Sequence, residues 1–184
     1  MKREALLVSF AVLGLALLAA SALPPAIAAE RDEKLPRAEV KPDAALIYVA
    51  RPAGVGFAVP MYFFANEQFL GMNHGNGYFW AYLPPGRYIF WSKAENVNAI
   101  PEMEVEAGKT YYFRQKTVPG WIKARTAVEL VDSAQGEALI DDCQKHSELT
   151  DKQRERGEED AKESWARAQK EAAEAAAEPV KKQE

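Results

Sequence analysis

Tyr78-Phe79-Trp80-Ala81-Tyr82-Leu83-Pro84-Pro85-Gly86-Arg87-Tyr88-Ile89-Phe90-Trp91 is the stretch on which the fold turns. Proline presets the backbone angle of one central turn position and glycine accepts a positive angle at the next, so Leu83-Pro84-Pro85-Gly86 predicts a reversal between two strands. Alternate strand residues face opposite sides. Tyr78, Trp80 and Tyr82 therefore share one side against Phe79 and Ala81, and Tyr88 and Phe90 likewise oppose Ile89 and Trp91. Both faces of this predicted hairpin are apolar, whereas an ordinary sandwich strand keeps one wet face. Something must lie on the second face. It is either a piece of the chain, such as a loop or the short helix near Leu139, or a ligand on an exposed aromatic shelf.

Similar runs extend to both sides. Ala45–Ala50 is a strand ended by Arg51-Pro52, a second runs from Phe57 to Phe64, and Ala65-Asn66-Glu67-Gln68 turns into Phe69-Leu70-Gly71. His74-Gly75-Asn76-Gly77 turns into the stretch above, and Met103–Glu106, Lys109–Lys116 and Ala124–Val131 complete the set. Seven or eight short strands at turn-punctuated spacing predict a mainly β protein, an antiparallel β-sandwich or small barrel. All aromatic residues except Phe10 and Trp165 fall between Tyr48 and Trp121, so the core is expected there.

The ends read differently. Met1-Lys2-Arg3, the apolar run Ala5–Ala20, Pro24-Pro25 and Ala26-Ile27-Ala28 form a secretory signal over residues 1–28, with cleavage expected after Ala28 and a periplasmic or extracellular product. The alternative is an uncleaved inner-membrane anchor, since a helix from Ala5 to Leu23 would reach about 28 Å. No cysteine follows the apolar run, which excludes a lipid-modified N-terminus. Residues 29–43 are charged and carry Pro36 and Pro42, the composition of a linker. Residues 44–132 are the β domain, 133–147 a short helical segment that Ser133 can cap, and 148–184 a charged, alanine-rich helix and tail. Glu158 with Lys162, Glu163 with Arg167 and Lys170 with Glu174 lie four apart, which suits a solvated helix. Trp165 is its one aromatic residue and the one means by which it could dock.

Ala45-Leu46-Ile47-Tyr48-Val49-Ala50-Arg51-Pro52, Gly77-Tyr78-Phe79, Leu83-Pro84-Pro85-Gly86 and Glu106-Ala107-Gly108-Lys109-Thr110-Tyr111-Tyr112-Phe113 resemble the bacterial domain-of-unknown-function family 2846. The resemblance extends to Val128-Glu129-Leu130-Val131, Gly136 and Leu139, and spans about Ala44 to Asp142. The turn and its aromatic strand are also similar to PEGA and carboxypeptidase-regulatory-like sandwiches. The resemblance implies an exported or lipid-anchored envelope protein with a transthyretin-like or immunoglobulin-like sandwich and no established activity. The lipobox of some members is missing here.

Chemistry is sparse. The 184 residues carry a net charge of −4 with no basic block, which excludes the electrostatic footprint of a nucleic-acid binder. The single Cys143 can form no internal disulfide. Of two histidines, His74 sits in a glycine-rich turn and His146 in Asp141-Asp142-Cys143-Gln144-Lys145-His146, whose spacing matches no closed zinc pattern. Gly54-Val55-Gly56 lacks the third glycine and helix of a dinucleotide loop, so no cofactor is expected. Glu102, Glu104 and Glu106 alternate on one strand and read as a solvated edge. The expectation is a non-enzymatic envelope module that binds a protein partner or serves a structural role. The alternative is a glycan- or peptidoglycan-binding module using Tyr78, Trp80, Tyr82 and Trp91 with His74, and a hydrolase built on His74 comes third. The membrane enters only if the N-terminal segment stays uncleaved.

Overall fold

The computed structural model describes residues 35–54, 56, 58–119 and 124–178. The signal segment, its cleavage site and the first part of the expected linker lie outside the described residues, as does the tail after 178. No helix among the described residues is long and apolar enough to cross a membrane.

The chain is mainly β, and its two principal sheets form a sandwich. The described strands are β1 (Ala45–Arg51), β2 (Met61–Ala65), β3 (Gln68–Asn73), β4 (Gly77–Leu83), β5 (Gly86–Tyr88), β6 (Phe90–Lys93), β7 (Val97–Ala99), β8 (Met103–Val105), β9 (Thr110–Val118), β10 (Arg125–Val131) and β11 (Lys145–His146). Sheet 1 has the order β10-β9-β1-β4-β11 and sheet 2 the order β3-β2-β6-β7, while β5 and β8 pair as a separate arm. Pairing is antiparallel except for β1 with β9 and β11 with β4. Helix α1 (Ser133–Asp141) lies against β9 and β1, and helix α2 (Asp151–Ala177) against β7 and β3.

The strand count exceeds the seven or eight expected because the predicted returning strand divides into β5 and β6 and because β7 and β11 were not expected from the sequence. Pro60 has no N–H to give a ladder, and β2 begins only after it. The predicted returning strand from Arg87 is broken at Ile89. There the Ile89 N–H donates to Asn66 Oδ1 (2.9 Å) and its carbonyl accepts from Asn66 N (2.9 Å). The chain consequently leaves the β5–β8 arm and joins β2 as β6. Pro84-Pro85 thus moves the chain from one sheet to the other instead of closing a hairpin. Gly86, expected to take a positive angle in this turn, is already in β5 and is not among the described positive-φ glycines.

The inner faces meet in a core of Ile47, Val49, Phe63, Phe79, Leu83, Phe90, Val105, Phe113 and Val128. Burying such side chains at about 25 cal/mol per Å² of apolar surface is what holds the layers together. One end of the sandwich is polar. Asn73 donates to Val49 O (3.1 Å) and Gln115 Oε1 (3.1 Å), and Gln115 Nε2 reaches Ser92 Oγ (2.9 Å). Buried Arg51 donates to Gly56 O (2.7 Å), Thr117 Oγ1 (3.1 Å) and Val59 O, clamping the loop after β1. Burial lowers its pKa, and carbonyl and hydroxyl oxygens stand in for water around the cation. At the free edge of β10 the N–H groups of Thr126 and Val128 donate to Asn96 Oδ1 and Asn98 Oδ1, both at 2.7 Å, so side chains stitch the two sheets where no strand pairs.

Candidate functional site

Both sheets carry aromatic residues on their outer faces as well, and both faces are covered. On sheet 2 the cover is α2, which composition alone had suggested would be a solvated helix. Its buried stripe is Gly157, Asp160, Ala161, Ser164, Ala168 and Ala172. Of these, Ala161, Ala168 and Ala172 lie on Phe64, Trp91, Val97 and Ala99 in one apolar cluster, with Trp165 half-buried at its margin. Phe64 and Trp91 stack with centroids 3.8 Å apart. Close approach explains the absence of large side chains: a Cβ on Gly157 would stand 2.6 Å from the Phe69 ring. Asp160 ties the helix to β6 through Lys93 Nζ (2.5 Å) and also pairs along α2 with Arg156 Nε (3.4 Å). A cavity of about 820 Å³ opens beside these charges and Tyr62, whose hydroxyl pKa is raised by burial and then by Asp160. Thr150 caps α2 in a reciprocal arrangement with Gln153.

On sheet 1 the outer face is built of tyrosines. Register places Tyr112, Tyr48 and Trp80 side by side on β9, β1 and β4. Tyr48 stacks on Tyr112 (5.5 Å, 5°) and meets Trp80 edge-on (6.1 Å, 62°). Trp80 then lies over the His146 ring at 4.1 Å. The result is one aromatic row across four strands, a geometry in which each pair adds about 0.5–1.5 kcal/mol to simple burial.

Two covers share this row. Helix α1 covers the Tyr112 end, where a Cβ on Gly136 would come within 2.1 Å of the ring. The helix is capped by Asp132, whose carboxylate accepts from Gln135 N (2.8 Å), so Ser133 is its first residue and not its cap. The centre is covered by residues 35–41, which run over the sheet as an extended strap without strand pairing. Tyr78 donates its hydroxyl to Pro36 O, Tyr82 donates to Glu39 O (2.6 Å), and Tyr48 Oη accepts from Ala38 N (2.7 Å). Leu35 and Ala38 pack on the tyrosine rings, and Lys41 Nζ lies 3.9 Å from the Tyr82 ring centroid. Arg37 forks onto Glu137 Oε2 (2.9 Å) and Asp141 Oδ1 (2.5 Å) of α1, while the other Glu137 oxygen accepts from Tyr112. Burial raises the pKa of Tyr48 and Tyr112 and pushes Tyr78 up to about 12, so all three hydroxyls stay protonated. Cys143, buried in the same cluster, is likewise pushed up to about 11 by burial, which keeps its thiol protonated.

The Trp80–His146 end stays open. There a cavity of about 270 Å³ is bordered by Leu70, Met72, Trp80, His146, Glu148 and Arg154. Burial lowers the His146 pKa, with Glu148 acting in the opposite sense. Neither Glu148 nor Arg154 has an ion-pair partner among the described residues.

Of the residues singled out from sequence, Tyr78, Trp80 and Tyr82 come together on sheet 1. Trp91 does not join them, because β6 belongs to the other sheet, and it is fully buried under α2. His74 is half-buried in the turn between β3 and β4, with no carboxylate hydrogen-bonded to it among the described residues. The sequence reading missed Tyr48 and His146 as neighbours of Trp80, and Tyr112 as the next ring beyond Tyr48. The alternation of Leu46, Tyr48 and Ala50 carried that signal in part, whereas the β1–β9 and β11–β4 pairings that bring Tyr112 and His146 alongside had no local mark. Among the described residues no group of three or more His, Cys, Asp or Glu converges as a metal site.

These features define a β-sandwich domain whose two aromatic outer faces are closed by segments flanking the sandwich. Residues 41–127 match the family described as "Protein of unknown function (DUF2846)", the family that the sequence of the β domain resembles. No curated protein and no solved structure matches the chain. The matched span holds Tyr48, Tyr78, Trp80, Tyr82 and Tyr112, while α1, α2 and nearly all of the strap lie outside it.

Proposed function

We propose that this protein is a non-enzymatic binding module of the cell envelope, exported by residues 1–28 and acting through the outer face of sheet 1. The observation that supports this reading is the row Tyr112–Tyr48–Trp80–His146. It lies on the side of the sheet away from the sandwich core, and Tyr48 within it, with Tyr78 and Tyr82 beside it, grips an extended segment through the phenol oxygens. Cell fractionation with N-terminal sequencing and a photo-cross-linker at position 80 tests it. A periplasmic product starting at Ala29 that cross-links to an envelope component from position 80 is expected. Met1 retained in the membrane fraction would replace export by anchoring, and cross-linking no stronger than from exposed Leu130 would remove sheet 1 as the working surface.

The glycan reading keeps one supporting observation, the open cavity at Trp80 and His146. An indole face with Arg154 and Glu148 nearby offers stacking for the C–H face of a sugar and hydrogen bonds for its hydroxyls. Quenching of tryptophan fluorescence by soluble peptidoglycan fragments, lost in Trp80→Ala, is the outcome this reading requires. Trp91 contributes nothing to it, and the hydrolase alternative has no motivating geometry around His74.

A further inference from the structure

The strap is bound to sheet 1 the way a peptide ligand is bound. It forms no strand, and its hydrogen bonds to the sheet run through backbone atoms of Pro36, Ala38 and Glu39 met by tyrosine side chains. One side chain is read by charge: Arg37 enters between Glu137 and Asp141, a two-carboxylate socket that suits a planar guanidinium. The side of the socket is acidic throughout, with Asp132, Glu137, Asp141 and Asp142 and no basic residue on α1. The strap brings Arg37 and Lys41 to it. The tyrosine shelf lies inside the family-matched span and residues 35–40 outside it, so the shelf and its occupant are separable parts.

From this geometry we propose that the outer face of sheet 1 is a recognition surface for an extended, proline-containing, arginine-bearing segment of a partner protein, which residues 35–41 occupy in cis. The segment it fits has an apolar residue, proline, arginine and a small residue in succession, as in Leu35-Pro36-Arg37-Ala38, with a second basic group three residues on at Lys41. Proline at the second position costs no hydrogen bond, because Tyr78 reads its carbonyl. A bound partner displaces the strap and inherits its contacts. This inference rests on the reading of the protein as a binding module and names its partner class.

The test uses the full mature chain and a fluorescent peptide of residues 35–43, with binding followed by anisotropy. In the wild-type chain the tethered strap competes at an effective concentration on the order of millimolar, so added peptide binds weakly. Arg37→Glu in the chain sets like charges against Glu137 and Asp141 and loosens the strap, and the wild-type peptide then binds at least about tenfold more tightly than to the wild-type chain. The same peptide with Arg37→Glu fails to bind, with Arg37→Lys it binds less well, and high salt weakens binding. An Arg37→Glu chain with native near-ultraviolet circular dichroism that takes up no peptide overturns the proposal. So does an Arg37→Glu chain that cannot fold, since the strap would then be part of the fold and not its occupant. Cross-linking from position 80 is read separately, so lost peptide uptake with cross-links intact removes this inference alone.

Discussion

The two outer faces solve the same problem with opposite chemistry. Each begins as an aromatic surface that a bare sandwich would leave wet, and each is covered by a helix that places a glycine on a ring, Gly136 on Tyr112 and Gly157 on Phe69. On sheet 2 the contact is dry: a stripe of small residues on Phe64 and Trp91, with the Asp160–Lys93 ion pair at one place along the helix. On sheet 1 the rings end in hydroxyls, and the cover is held by Tyr48, Tyr78, Tyr82 and Tyr112 through hydrogen bonds. Dry burial gains by area and is strong over a 27-residue helix. A hydroxyl exchanges a bond to water for a bond to protein and nets only about 1 kcal/mol. One face is built to stay shut, the other to hold an occupant that can leave.

The largest expected effect comes from breaking the dry face. Ala168→Glu puts a carboxylate where no surface is exposed and no cation is present to pair with it, so α2 is unseated at a cost of about 3 kcal/mol or more. Urea unfolding reads the loss, and quenching of Trp91 by acrylamide reads the opening. A change as small as that of an exposed helix substitution would mean that α2 is not bound through this stripe.

Tyr112→Phe sharpens the other side. It leaves the ring and its stacking in place and removes the hydroxyl that Glu137 accepts. The expected cost is about 1 kcal/mol, together with faster trypsin cleavage after Arg37 as the bracket formed by Arg37, Glu137 and Asp141 loosens. Unchanged cleavage would show that α1 and the strap are held independently.

The smallest effect is a pH dependence at the open end of the row. Burial lowers the His146 pKa below its ordinary 6.5, so the unfolded chain takes up the proton first. Stability is therefore full above pH 6.5 and falls as pH drops below it. His146→Gln removes that fall and, through loss of the ring contact with Trp80, lowers stability by about 0.5–1 kcal/mol at pH 7.5, as thermal unfolding in paired buffers would show.

The existence of most strands was legible because a two-residue alternation and turn chemistry are local signals, whereas β7 and β11, three and two residues long, were too short to show one. The faces of β4 were read correctly from Tyr78, Phe79, Trp80 and Ala81 for the same reason. Pairing was not legible. Pro84-Pro85 marks a change of direction equally well whether the chain returns to the same sheet or crosses to the other. What moved Trp91 away from Trp80 was the clamp of Asn66 on Ile89, 23 residues apart in sequence. Helix docking was hidden by composition, since alanine and glycine look featureless until an aromatic surface is set against them. The residues from Leu35 to Lys41 read as a linker because their apolar content is too low to order alone, and the tyrosines that order them lie on β1 and β4.

Sequence by itself determined that this is a β-sandwich domain with an aromatic excess and two charged flanks, because spacing, proline, glycine and charge act over a few residues. Only the tertiary structure decided where the excess goes: one part sealed under α2, the other set against the strap with Trp80 and His146 left open. The physical reason is that the worth of a tyrosine hydroxyl or an alanine stripe depends on what stands opposite it, and that is set by contacts between residues far apart in the chain.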